Sequence, residues 1–360
     1  MSRTGQDLGA FSLTKAVRSV RKRTLGQHAV TGLTLLALMS IAVACGSGNG
    51  SKSTPTQGPS VVLPTATLPA LPPGSADQTG LLIYVDPIAR QTIALNLSNG
   101  DRRVVPGIVP SAGTSMIADC TYDGRLIAYT NSAISQQAST VSFLGEGAPG
   151  KSIEVKGAIQ GMAWSPAGDR LAITVGGIAV PHLELLDVQS GATTVLPSGK
   201  GIPGSARWSP DGQRLAVDVN NNGISDIYVL DVAASSISKI SSRPSAEMPD
   251  WSPDGRTIVF SAGDERGGLP EIYAVDPDEK NEHKLTASAS EKYSPRWSRD
   301  GSLIAYAGIV TVPVASSRPA RLHNQAIWVA RADGTNELPV TDVKLDAAPL
   351  AWCLQGPWLQ

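Results

Sequence analysis

Between residues 81 and 353 the apolar positions fall in short runs, alternating or nearly continuous, each closed by Asp, Asn, Gly or Pro. Runs of this length bounded by turn residues predict strands, not helices. They also repeat. Trp164-Ser165-Pro166-Ala167-Gly168 precedes Leu171-Ala172-Ile173, Trp208-Ser209-Pro210-Asp211-Gly212 precedes Leu215-Ala216-Val217, and Trp251-Ser252-Pro253-Asp254-Gly255 precedes Ile258-Val259-Phe260. Trp297-Ser298-Arg299-Asp300-Gly301 precedes Ile304-Ala305-Tyr306, a divergent copy opens at Cys120-Thr121-Tyr122-Asp123-Gly124, and a stub lies at Ala351-Trp352-Cys353. The anchors at 120, 164, 208, 251, 297 and 352 are spaced by 44, 44, 43, 46 and 55 residues. Each unit carries a second pair of runs, such as Asp226-Ile227-Tyr228-Val229-Leu230 and Ile237-Ser238-Lys239-Ile240. Four strands in a period of this length predict the blade of a β-propeller.

Six anchors mean six inner strands. The last, at Trp352, has no further strands after it, whereas the runs at Leu81-Leu82-Ile83-Tyr84-Val85, Thr92 to Leu97 and Arg103-Val104-Val105 have no inner strand before them. Joining the two ends completes one blade. The prediction is therefore an all-β, six-bladed propeller with four antiparallel strands per blade, closed by pairing the C-terminal inner strand with the N-terminal blade. Pro presets φ in the turn after each inner strand, and Gly124, Gly168, Gly212, Gly255 and Gly301 accept a positive φ there. Trp164, Trp208, Trp251, Trp297 and Trp352 then become wedges between neighbouring blades, not a stacking platform for ligands. Cys120 stands at a Trp position and Cys353 one residue past one, in adjacent blades. Successive strand residues point to opposite faces. The two cysteines face each other if the tryptophans point to the preceding blade and point apart otherwise, so both a disulfide and two free thiols are open.

The W-S-P-x-G units resemble the TolB-like, WD-like β-propeller repeat family over roughly residues 81–353. The resemblance implies the propeller fold and protein or peptide partners at one face or in the central channel, and says little about activity.

The N-terminal part has a different pattern. Arg3, Lys15, Arg18, Arg21, Lys22 and Arg23 against Asp7 are followed by an uncharged run from Ala29 to Ala44. That is the length of a signal-peptide core and short for a spanning helix. Ala42-Val43-Ala44-Cys45 resembles a bacterial lipobox, which makes residues 1–45 a lipoprotein-type leader and Cys45 the lipidated residue; Ala42-Val43-Ala44 also fits an ordinary cleavage site, and an uncleaved anchor is the third reading. Residues 46–79, rich in Ser, Thr, Gly and Pro, read as a disordered tether, and residues 80–360 as the propeller. These assignments place the protein on the outer side of the cytoplasmic membrane.

Composition fits this division. The 36 Gly and 26 Pro divide between tether and turns, and most of the seven Trp mark blades. The leader carries a net +5, so the chain's net charge of −1 leaves −6 on the remainder. An acidic exported body argues against nucleic acid as a ligand.

Chemistry-bearing motifs are scarce. There is no H-E-x-x-H, C-x-x-C, P-loop or G-x-S-x-G, and His182, His283 and His323 lack ligand spacing. Asp218, Asn220, Asn222 and Asp226, with Gly223 between, resemble the first part of a calcium loop but lack its closing Glu; the same segment also reads as an Asn/Asp/Gly turn. With the strands of each blade lettered A (inner) to D (outer) in chain order, the B–C loops vary in length, and variable loops on a rigid ring are where binding concentrates. The longest, Gly308 to Gln325, carries Arg318, Arg321 and His323, and with Asp264 and Arg266 it forms a candidate binding rim. The expected function is a lipid-anchored, non-catalytic module that binds a protein or peptide. The alternatives are a metal-dependent hydrolase or lactonase and a sensor of small ligands or glycans.

Overall fold

The computed structural model describes residues 80–133, 137–148, 152–177, 180–263, 268–287, 290–311, 323–341, 349–356 and 359. These residues form six four-stranded antiparallel sheets and no α-helix. Blade 1 sets the inner strand Pro349–Cys353 beside Leu81–Asp86, Gln91–Asn96 and Arg102–Val104. Leu81 pairs with Cys353, Leu82 with Trp352 and Ile83 with Ala351, so the chain ends meet inside one sheet, as the repeat predicted. The inner strands of blades 2 to 6 are Ser115–Cys120, Ala158–Trp164, Ile202–Trp208, Glu247–Trp251 and Glu291–Trp297.

Each blade interface is one hydrophobic cluster, and the tryptophan of each blade belongs to the cluster shared with the blade before it. Trp208 packs with Leu183, Leu185 and Leu196 of blade 3, and Trp251 with Ile227 and Val229 of blade 4. Trp352 closes the ring against Leu303, Ile327 and Val329 of blade 6. All five are nine-tenths or more buried, a placement that removes large apolar area from water. This is the direction under which the two cysteines face each other, and Cys120 and Cys353 form a disulfide with their Cα atoms 5.7 Å apart.

The turns after the inner strands are built alike. The Ser209, Ser252 and Ser298 hydroxyls donate to Asp211, Asp254 and Asp300, and Gly212, Gly255 and Gly301 have φ near 70°. A Cβ on Gly255 would lie 3.6 Å from Pro210 of the preceding blade, so turn and ring closure share one residue. Where blade 3 has Ala167, the Ser165 hydroxyl turns to Asp169 instead. Strand pairing extends further into two B–C connections than the sequence suggests. Asn221 pairs with Ile224 across a two-residue Asn222-Gly223 turn, and the blade 6 hairpin runs to Thr311 and resumes at His323.

Candidate binding sites at the two ends of the channel

Inner-strand alternation sends the tryptophans into the blade interfaces and the residue before each of them toward the axis. That inward ring reads Asp119, Ala163, Arg207, Asp250, Arg296 and Ala351 from blade 2 round to blade 1. All six line a cavity of about 60 Å³ at the end of the channel that carries the A–B turns, enough for a few waters or one small group. Trp164, Trp208, Trp251, Trp297 and Trp352 form its wall, and Tyr122 and Arg299 lie at turn level above it.

The charges in this ring are tightly held. Asp119 Oδ2 accepts from Trp164 N and Asp250 Oδ2 from Trp297 N, each at 2.8 Å, so each carboxylate ties its blade to the next. Arg207 donates to the Met162 carbonyl at 2.9 Å and stands 3.9 Å from Asp250. Arg296 donates to the carbonyls of Pro295 at 2.8 Å and Leu350 at 3.5 Å. Each arginine thus leans toward the neighbouring alanine position, Arg207 toward Ala163 and Arg296 toward Ala351. Burial and the adjacent Arg207 push the Arg296 guanidinium down to about 9. Burial raises Asp250 despite its two arginine neighbours. Arg299 stacks on Tyr122 at 4.5 Å and donates to the Cys120 carbonyl at 3.2 Å, reaching past the closing strand of blade 1 to blade 2.

The other end of the channel, where the B–C and D–A loops lie, is acidic. Asp218 accepts backbone N–H bonds from Ser205 at 2.8 Å and Met248 at 3.2 Å, both at bulges in inner strands. Gly204 is required beneath it, because a Cβ there would collide with the carboxylate. Burial, then the nearby Glu247, raise Asp218 to about 7. Glu247 is itself raised by burial, offset by a hydrogen bond from Ser225 at 2.9 Å. Between blades 5 and 6 the fully buried Lys292 pairs with Glu271, which also accepts from Thr286 and pairs with Lys284.

The loop face carries a second feature. Eight large apolar side chains are exposed among the described residues. Ile88, Val180, Ile224 and Leu269 lie on B–C connections, and Val109 and Ile202 at the D–A side of the same face. The other two, Val104 and Val195, sit on outermost strands. None lies on the turn face.

The sequence-derived residues fare differently. Asp264, Arg266, Arg318, Arg321 and Cys45 lie outside the described residues, as do the leader and tether; His323 pairs with Thr311 at the end of its hairpin. The four oxygen-bearing residues of the calcium-like segment are not brought together. Asn220 Oδ1 accepts from Gly223 N at 2.9 Å, Asn222 has φ 54° in the hairpin turn, and Asp226 pairs with Lys239 at 2.8 Å on the sheet face opposite Asp218. His182 and His283 bond to nearby backbone carbonyls. No group of three or more His, Cys, Asp or Glu among the described residues is arranged to hold a metal. Sequence reasoning missed the inward ring, although its signal was present one residue before each anchor. It also passed over Tyr122 and Arg299, which replace the motif's Pro and stack on one another.

Comparison with known proteins places these features. A family model described as the TolB beta propeller domain matches residues 163–349. Among solved structures, TolB from Acinetobacter baumannii superimposes with a TM-score of 0.59 at 18% identity, over 77% of this chain and 67% of that one. A putative TolB from Agrobacterium tumefaciens gives 0.54 at 19% identity, over 75% and 96%. A chain from a nidogen/laminin complex gives 0.55 at 10% identity, over 72% and 91%. No curated protein matches this chain in sequence.

Proposed function

The chain belongs to the TolB β-propeller family, and on that footing we propose that it is an exported, lipid-anchored binding module that docks a protein partner on its loop face. The single observation that carries this reading is the segregation of exposed apolar side chains: Ile88, Val109, Val180, Ile202, Ile224 and Leu269 share one face, while the turn face has none among the described residues. Large apolar side chains gathered on one face mark protein contacts, whereas scattered ones need no explanation. The leader ending at Cys45 supports export and anchoring, and an extended tether of 34 residues would reach roughly 100 Å from a membrane. A propeller found in a complex of nidogen and laminin supports the use of this architecture for protein contacts. The site chemistry favours binding over catalysis: at the turn-face cavity both carboxylates are held by backbone N–H groups of the next blade.

The test is site-specific photo-cross-linking in the native envelope, with the photoreactive residue at Ile224 or Leu269 and, as control, at the exposed turn-face residue Gln213. A reproducible protein adduct from the loop-face positions only is the expected result. Equal adducts from Gln213, or none from either face, would overturn the docking assignment. Anchoring is read separately: Cys45→Ser should abolish incorporation of labelled fatty acid and release the protein from the membrane fraction.

A further inference from the structure

We propose that the cavity at the turn-face end of the channel is a binding site for one small carboxylate, independent of the partner-docking face at the opposite end. Three guanidiniums, from Arg207, Arg296 and Arg299, line it against two carboxylates, from Asp119 and Asp250. The excess is one positive charge in a partly open cavity. The two carboxylates are already engaged by the backbone N–H groups of Trp164 and Trp297, and this reduces what they offer the cations.

Arg296 and Arg299 are the two cations of this cavity without an ion pair among the described residues, and Arg296 is the one on the inward ring. Its hydrogen bonds go to two backbone carbonyls, and among the described residues it makes no ion pair within 4 Å. Burial and the like charge of Arg207 lower its proton affinity by more than the charges of Asp250, Asp119 and Asp218 raise it. A guanidinium in this state is stabilised by an anion that brings two acceptor oxygens in one plane, the arrangement a carboxylate supplies. One monoanion matches the single excess charge. The volume points the same way: about 60 Å³ admits a group of a few heavy atoms and no larger organic ligand. Ala163 and Ala351 keep the inward ring open, since a longer side chain at either position would enter the space beside the arginines. The carboxylate can be a free small acid or the terminal carboxylate of a peptide entering from the turn face, and the two share the same recognition chemistry.

The five tryptophans in the cavity wall provide the readout. The full chain in detergent is titrated with acetate, and separately with triglycine and triglycinamide, at constant ionic strength held by chloride, following intrinsic tryptophan emission. Acetate, triglycine or both should change the emission saturably, and triglycinamide should not; acetate alone identifies a free acid as the ligand, and triglycine alone a chain terminus. Arg296→Gln should weaken the response by about tenfold or more, the loss of a charge-assisted contact. Should that variant fold poorly, saturation transfer from indole protons to the acetate methyl group in the unsubstituted protein reads the same contact directly. The assignment is overturned by the absence of any saturable change and any transfer, by an Arg296→Gln variant that is folded and responds like the parent, or by chloride producing the same response.

Discussion

The two faces of this ring are made from the same strands yet follow different rules. On the turn face, five copies of one turn share the positive-φ glycine, three of them place Ser and Asp in the same roles, and each glycine packs close to the blade before it. That face is exposed to little variation because every turn is also part of a neighbour's packing. On the loop face the connections differ in length and carry exposed Ile, Val and Leu, side chains that no blade packs upon. The difference teaches that the turn end sets stability and the loop end is free for recognition.

The largest expected effect comes from breaking the seam on which the turn end depends. A chain ending at Leu350 loses Trp352 and its pairing with Leu82, leaving an open sheet edge and an unfilled blade interface. It should show no cooperative thermal transition at the parent's temperature; a parent-like melt would show that the seam is dispensable. Replacing Cys353 with Ser removes a link between residues 233 apart and should lower stability by about 2–4 kcal/mol in chemical denaturation under oxidising conditions. No difference from the parent would mean that strand pairing alone closes the ring.

A smaller effect belongs to the acidic end of the channel. Asp218 has a proton affinity raised from 3.8 to about 7 by the fold. A carboxyl raised in this way stabilises the native state fully below the unfolded value and ceases to do so as pH rises through the folded value. Unfolding free energy should therefore fall between pH 4 and 7, with a slope of up to about 1.4 kcal/mol per pH unit. Asp218→Asn should flatten that slope, and a parent protein equally stable across the window would refute it. The smallest effect is assigned to the loop face. Ile224→Ser and Leu269→Ser should change stability by less than about 0.5 kcal/mol while abolishing partner capture. A large loss of stability would erase the distinction between the faces.

Much of this was readable from particular residues. Three Trp-Ser-Pro-x-Gly units and the divergent copies at Trp297 and Cys120 located five inner strands, and the orphaned runs at Leu81 and Thr92 required the sixth at Trp352. The Asn220 to Ser225 segment was readable as an Asn/Asp/Gly turn, whereas the pairing of Asn221 with Ile224 that tightens it to two residues came only with the structure. The charged ring was less legible. Asp119, Arg207, Asp250 and Arg296 differ from copy to copy, so they stand outside the repeat, and only their shared offset from the anchors links them. Tyr122 and Arg299 were visible as departures from the motif, but their stacking requires that blades 2 and 6 flank the closing blade.

By itself, then, the sequence determined the strand period, the number of blades, the turn chemistry and the place of closure, because these rest on local propensity and on counting. Only the tertiary structure decided which way the tryptophans point, and with that direction the meeting of Cys120 with Cys353. It also decided that three arginines share one small cavity and that most of the exposed apolar residues gather on one face. Strand alternation says that neighbours point apart, but which side becomes interface and which becomes lumen is set by how the twisted blades pack around the axis.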